Sequence, residues 1–336
     1  MSKIRKLYFF DKDNTREMMS FLNDSTNDTY INHIMFSPLI SLHHILPLKF
    51  KYLPESYVLK EGKEIKGLVT VAPSRHRARQ MEIQRLLFEE NSYDVASELI
   101  QYVVSKYKAM GTASFIVRVD DYLPELVRVF IARCGFSQIS YEKLWNIKKI
   151  DSDYNPKLFR EFENSDGKSV TELHNDELLT HFIPLLGKTV KDFKDSPFKG
   201  MSYYTEYKYV MEDSKSKNIA AYITIRTGDN ENYVVDIIRS SWTDADIGGI
   251  IAFAQNEVQK RKKQFNLYVK TKKYIKSGEK DEQEFLERGF ECVQNKIVLT
   301  NSSAQIIKDA QTSGKFTVLT QFYNGVGAVN KSPLKY

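Results

Sequence analysis

No stretch of this sequence approaches the roughly 18 consecutive apolar residues of a membrane-spanning helix, so a soluble chain is expected. The segment Met1 to Phe10 carries basic residues but only a short apolar run before Asp11 and Asp13; it lacks a signal-peptide core and reads as a first strand. Cysteine is scarce. Cys134 and Cys292 each sit beside a Gly-Phe pair without C-x-x-C spacing, which suits core packing in a reducing compartment and points to a cytoplasmic protein. No Walker loop, Rossmann fingerprint, zinc signature or nucleophile elbow occurs. His33, His76, His174 and His181 have no carboxylate or histidine at ligand spacing, and His43-His44 lies among apolar neighbours, so no metal is expected.

Charge of one sign is also missing. With 49 basic against 43 acidic residues the net charge is +6, distributed into a basic turn, Arg75-His76-Arg77-Ala78-Arg79, and a cluster of Lys260 to Lys263 with Lys270, Lys272, Lys273 and Lys276. No aromatic-interleaved RNA motif accompanies these groups, so nucleic acid is not the expected partner. Apolar content of 42% with 12% aromatic residues is ordinary for globular cores, and 336 residues suffice for about two of them.

What the chain does contain is one plan written twice. Tyr57-Val58-Leu59 reappears as Tyr209-Val210-Met211, Gln84 to Leu87 as Asp236 to Arg239, Val95 to Ile100 as Ile247 to Ala252, and Phe115-Ile116-Val117 as Leu267-Tyr268-Val269, all 152 positions on. Gly135-Phe136 and Gly289-Phe290 close the units two residues out of step. A period of this length means two whole domains, not stacked motifs. We place an N-terminal domain at 1–150, a linker at 151–167, a C-terminal domain at 168–300 and a tail at 301–336.

Within each unit the hydrophobic period changes in a fixed order. Tyr57 to Leu59, the turn Glu61-Gly62-Lys63 and Ile65 to Val71 read as a hairpin, and Met81 to Phe88 as its next strand. Val95, Leu99, Val103 and Tyr107 share a helical face that Gly111 ends. Phe115 to Val119 is then a buried strand. Leu123, Leu126, Val127, Phe130 and Ile131 make a second helix, followed by a strand over Ile139 to Ile147. The second unit repeats this as strands at 207–211, 220–225 and 233–239, a helix over Ile247 to Val258, a strand at 267–271, a helix near Glu282 to Arg288 and a strand from Cys292 to Leu299. The linker carries turn signals around a short helical piece, Lys157 to Phe162. The tail reads as a short helix, Ala304 to Ala310, and a strand-like Lys315 to Thr320, too rich in Gly, Asn and Pro to form a third core.

The endings "FIARCGF" (Phe130 to Phe136) and "EFLERGF" (Glu284 to Phe290), in this order of elements, resemble the Y-E-K-x-G-F helix end of the GNAT superfamily of acyl-CoA-dependent N-acyltransferases. The resemblance spans roughly 1–150 and 168–300. It implies an α/β (α+β) fold of two tandem GNAT-like domains, each a mixed, mostly antiparallel sheet flanked by helices. It also implies acetyl-CoA or another acyl-CoA as cofactor, and transfer of an acyl group to a small-molecule or protein amine. A weakened or lost activity is the variant of that reading, and a non-catalytic protein-binding or regulatory module is its rival.

The family's phosphate motif, Q/R-x-x-G-x-G/A, lets backbone N–H groups approach the coenzyme pyrophosphate at a helix N-terminus. Here the first unit has Asn91-Ser92-Tyr93-Asp94-Val95-Ala96, without glycine and preceded by Glu89 and Glu90. The second has Thr243-Asp244-Ala245-Asp246-Ile247-Gly248. A carboxylate about 6 Å from a phosphate costs on the order of 1–3 kcal/mol. The resemblance assigns cofactor binding to the second unit, through Ile238, Arg239, Asp246, Ile247, Gly248, Gly249, Lys272 and Lys273. Ile131 and Phe285 stand where the family has a proton-donating tyrosine, and Asp236, after Val234-Val235, is the candidate general base.

Overall fold

Runs of apolar and β-branched residues on either side of Gly62, itself at φ 61°, fold Glu55–Glu61 and Glu64–Pro73 into a hairpin, and Gly67 lets a helix settle on it. A Cβ at Gly67 would lie 2.7 Å from Val95 Cγ1 and 2.8 Å from Leu99 Cδ1. In this computed structural model, residues 2–8, 11, 19–20, 54–73, 80–148, 150, 152–194, 204–216, 218–243 and 245–302 are described. In the first half the elements are β1 (Ser2–Lys6), β2 (Met19–Ser20), β3 (Glu55–Glu61), β4 (Glu64–Pro73), β5 (Gln80–Phe88), α1 (Tyr93–Ala109), β6 (Ser114–Asp120), α2 (Pro124–Arg128) and β7 (Ser137–Ile147). The second half continues with β8 (Phe159–Glu161), α3 (Gly167–Glu177), α4 (Ile183–Leu186), α5 (Val190–Phe193), β9 (Thr205–Glu212), β10 (Ile219–Thr227), β11 (Asn232–Arg239), α6 (Ile247–Gln259), β12 (Asn266–Lys272), α7 (Gly278–Glu287) and β13 (Glu291–Ser302). The basic turn at 75–79, His43-His44, Asp244 and the tail elements after Ser302 lie outside the described residues.

The strands among the described residues join one mixed sheet in the order β1-β3-β4-β5-β6-β13-β7-β12-β11-β10-β9-β8, with β2 on β5. Read inward from its two ends, the order is the same in both halves, so repeated sequence becomes a pseudo-two-fold molecule. The pairs β5–β6 and β11–β12 are parallel, and each is connected through a helix, α1 or α6; every other pairing is antiparallel. The closing strands are exchanged at the centre. β13 ends the second repeat yet pairs with β6, from Lys296↔Asp120 to Ser302↔Ser114. β7 ends the first repeat yet pairs with β12, from Leu267↔Ile147 to Lys272↔Glu142, and the two exchanged strands pair with each other.

Each half has its own core beneath its helices. Leu99, Val103 and Tyr107 of α1 pack with Leu126 and Phe130 on Tyr57, Val69 and Val117; Ile247, Ile251 and Val258 of α6 pack with Phe285 on Ile223, Val235 and Val269. Gly135 and Gly289 take φ of 68° and 71°, ending their helices so that Phe136 and Phe290 turn into these cores. Two local expectations change. The helix after Arg128 widens into a π-helical turn, Val129–Arg133, which shifts the phase and leaves Ile131 41% exposed. The linker piece is a 3₁₀ turn, Pro156–Leu158, followed by β8, because Phe159 stacks on Phe253 at 4.1 Å and pairs with Met211.

Candidate functional site

The two parallel ladders split part-way along. β5 and β6 pair from Gln80↔Ser114 to Ile83↔Val117, and β11 and β12 from Asn232↔Asn266 to Asp236↔Lys270, while β5 and β11 continue to Phe88 and Arg239. A V opens in each half, with a backbone edge available on β5 and β11. The chain itself occupies both. Leu87 and Phe88 pair with β4 on one edge, so Ser20 and Met19 of β2, which pair with the same two residues, take the edge that β6 has left. In the second half Glu177, 1% exposed, spans the opening: its Oε1 accepts from Ser241 N at 2.7 Å and Ser241 Oγ at 2.9 Å, and its carbonyl accepts from Lys276 N at 2.8 Å. Leu178 adds an antiparallel bridge to Ile275, and Leu179 N donates to Tyr274 O at 3.0 Å.

The helix starts differ in a related way. At α6, Asp246 is the N-cap and its Oδ2 accepts from Gly249 N at 2.6 Å, using an amide that a phosphate would need. Gly248 and Gly249 keep that turn small for the chain's own use: a Cβ on Gly248 would meet Arg288 Nη2 at 2.8 Å and Ser152 Oγ at 2.9 Å, and one on Gly249 would meet Asp153 O at 3.2 Å. Ile247 is buried in the core beside them. At α1, Ser92 makes no side-chain cap, Asp94 in the first turn pairs with Arg133, and Glu89 pairs with Lys66 at 3.1 Å. At α6 the Gly249 amide is therefore already taken by Asp246, which does not suit a pyrophosphate there, while at α1 no side chain caps the first-turn amides and the nearby acids are paired with cations.

The remaining candidates from the sequence scatter. Arg239 is buried and donates to Asp281 Oδ1 at 3.0 Å through Nε and to Ala245 O at 3.0 Å, tying the loop before α6 to α7. Ile238 packs with Val170, Leu173 and Phe193 and lines the same cavity as the Asp236–Lys272 pair described below. The Lys273 ammonium stands 5.8 Å from the Tyr141 ring centroid. Asp236 and Lys272 do meet: both carboxylate oxygens accept from Lys272 Nζ, at 2.6 and 2.7 Å.

That pair lines a cavity of about 410 Å³ between the halves, walled by β5 and β6 on one side, β10, β11 and β12 on the other, and by α3 and α5. Its centre is Glu142 of the exchanged strand β7, 3% exposed, which accepts from Arg118 Nε at 2.8 Å and Tyr274 OH at 2.7 Å and faces Lys270 Nζ at 3.6 Å. Arg118 also reaches Glu82 at 2.5 Å. On the far wall Glu206 accepts from Arg226 Nε at 2.7 Å and lies 3.5 Å from Lys208. Burial opposes the charge on Glu142, but Arg118, Lys270 and Lys272 hold its carboxyl well below the usual range. The same balance, burial against Lys272, Lys270 and Arg226, keeps Asp236 low. Asp236 is thus held in its ionised form, with both oxygens engaged by Lys272. Burial and then Glu142 push the Tyr274 hydroxyl far up, so it keeps its proton.

Sequence reasoning missed Glu142, Arg118, Lys188 and Tyr274, which come from separate elements. One signal was readable: Arg118 and Lys270 occupy the same place in the two repeats, 152 positions apart.

No protein-family model and no curated protein matches the sequence. Solved structures do match the fold. A tandem GNAT protein from the clavulanic acid biosynthesis pathway superimposes with a TM-score of 0.60 at 12% identity, covering 90% of this chain and 98% of that one. A GCN5-related N-acetyltransferase from Sphaerobacter thermophilus gives 0.58 at 10% identity, over 90% of this chain and 95% of the other. A putative acetyltransferase from Pyrococcus horikoshii gives 0.56 at 11% identity, over 90% and 89%.

Proposed function

We propose, from the premise that this chain has a tandem GNAT fold, that it serves as a small-molecule-binding module in which the acyl-CoA clefts of both halves are closed by the chain's own residues. The observation that carries this reading is the pair of acidic side chains at the loop before α6. Glu177 and Asp246 take the Ser241 and Gly249 amides that an incoming phosphate would use. Displacing two such charge-assisted hydrogen bonds costs roughly 3–6 kcal/mol, which a coenzyme must repay before it gains any affinity. Isothermal titration of the full chain with acetyl-CoA tests it. No saturable heat is expected at millimolar coenzyme; one-to-one binding with release of free coenzyme A in the presence of amines would overturn it.

The separated ladders favour a second reading, that of an acyl-CoA-dependent N-acyltransferase with its amine seated in the central cavity. On that reading Asp236→Asn lowers turnover with little effect on affinity, Asp246→Gly strengthens acetyl-CoA binding and Gly248→Val abolishes it. A wild type and an Asp246→Gly variant that both ignore acetyl-CoA in calorimetry exclude it.

A further inference from the structure

We propose that the central cavity is a binding site for a small, multiply charged oxyanion, a di- or tricarboxylate or a phosphate ester, held by Lys188, Lys270 and Arg226 with Thr224 as a hydrogen-bond partner. This deepens the binding-module reading and rests on it.

Charge matching inside the cavity carries the argument. Five carboxylates line it, and each already has partners. Glu82 and Glu142 bind Arg118, Asp236 binds Lys272, and Glu206 binds Arg226. Asp192 accepts from Thr189 N at 2.7 Å and Thr189 Oγ1 at 2.8 Å through Oδ2, and its Oδ1 is buried without a hydrogen-bond partner. Six cationic side chains line the same space, so N–H donors exceed the acceptors available to them. The surplus is specific. Among the described residues the Lys188 ammonium makes no hydrogen bond or ion pair, Lys270 approaches Glu142 only to 3.6 Å, and Arg226 spends Nε on Glu206 while its two terminal nitrogens have no hydrogen-bond partner.

Two further observations agree. Thr224 is 4% exposed, lines the cavity, and its Oγ1 has no hydrogen-bond partner, a state that buried hydroxyls seldom keep without a ligand or water. His174 adds no positive charge at neutral pH, because burial and then Lys272 and Lys188 push it down to about 3. An oxyanion supplies several acceptors at once to donors that cannot find them in the protein, whereas a cationic ligand would find four of the five carboxylates already facing a cation and only Asp192 unpaired. The volume, about 410 Å³, is within the range of small-molecule sites.

Protonation gives the inference its own signature. Lys188 faces Asp192, Glu82, Arg118 and Lys272, and Lys270 faces Glu142, Asp236, Lys272 and Arg118; burial lowers the pKa of both ammonium groups despite the acids. An anion between them raises those values again, so binding is coupled to proton uptake and weakens as pH rises.

The test is titration calorimetry of the full chain with citrate, succinate, glucose 6-phosphate and inorganic phosphate, in two buffers of different ionisation enthalpy, at pH 7 and 8.5. One-to-one binding by the carboxylates or by the phosphates names the source, with proton uptake and weaker binding at pH 8.5. Lys188→Met and Lys270→Met should each lower affinity about 10–100-fold, a loss of roughly 1.5–3 kcal/mol. The exposed Lys262→Met should bind like the wild type. Without anion, Lys188→Met should melt higher than the wild type, because it removes a buried unpaired charge, and should lose the anion-induced rise in melting temperature. Absence of saturable binding by all four probes, wild-type affinity in both lysine variants, or a Lys188→Met protein less stable than the wild type would each overturn the inference. Acetyl-CoA binding that survives Lys188→Met would instead reopen the clefts and leave the cavity assignment standing.

Discussion

His174 and Glu55 both make this protein less stable in acid. The folded chain refuses the proton that an unfolded histidine takes below 6.5, since burial, Lys272 and Lys188 hold His174 down to about 3; stability is lost as pH falls through that window. For Glu55 burial favours protonation, but the Tyr57 and Tyr107 hydroxyls and Lys6 bring it from 4.5 to about 2. Its contribution is complete above 4.5 and fades as pH falls towards 2, so both groups act in the same direction. Thermal melts from pH 7 to 4 should show the midpoint falling from about 6.5 downward, and His174→Leu should flatten the upper part of that decline; an unchanged slope in the variant would acquit the histidine. Glu177 is a second sensitive position. Glu177→Ala removes both hydrogen bonds that the carboxylate accepts from Ser241 and should cost roughly 1–3 kcal/mol in urea unfolding. Glu177 does not announce itself in the sequence, because it is one of several acids in "HNDELLT" and gains its role only where β11 and β12 separate.

At the level of strands and helices much more was readable. The constant offset located β3, β5, α1 and β6 with their counterparts β9, β11, α6 and β12, because hydrophobic period and glycine stops are local properties. Strand pairing is not local. The alternation in Ser137–Ile147 and Glu291–Ser302 suits either central slot, so the exchange of β7 and β13 could not be read from pattern alone. That exchange predicts how pieces behave. Residues 1–150 without β13 leave β6 an open edge, and 151–302 without β7 leave β12 one; Trp145 of β7, 1% exposed, packs edge-on against Phe285 and donates to Thr271 Oγ1 at 2.9 Å, all in the second half. Each piece alone should lack a cooperative melt by circular dichroism, and mixing them should restore one. A cooperative melt for residues 1–150 alone would contradict the exchange.

For the whole molecule, the two cores are coupled through a continuous central sheet and through Leu178, Phe182 and Leu185, which pack against Tyr274 as well as Ile116 of the first half and Val298. Heat should therefore unfold both halves in one transition, with Trp145 fluorescence and far-ultraviolet dichroism coincident; two separated midpoints would contradict this. The cavity belongs to this scale as well. Its walls come from residues between 73 and 274, and a net charge of +6 over the whole chain gave no hint that surplus donors would be gathered at one point.

The exchange also bears on synthesis. The slot between β6 and β7 is filled only by residues 291–302, so the first repeat, once translated, waits for the second. At about 5–20 residues per second the stretch from Ile147 to Ser302 takes roughly 8–30 s to make. During that interval two long strand edges stand open on the nascent chain, and a ribosome that stalls or terminates within it releases a protein with a ready template for aggregation.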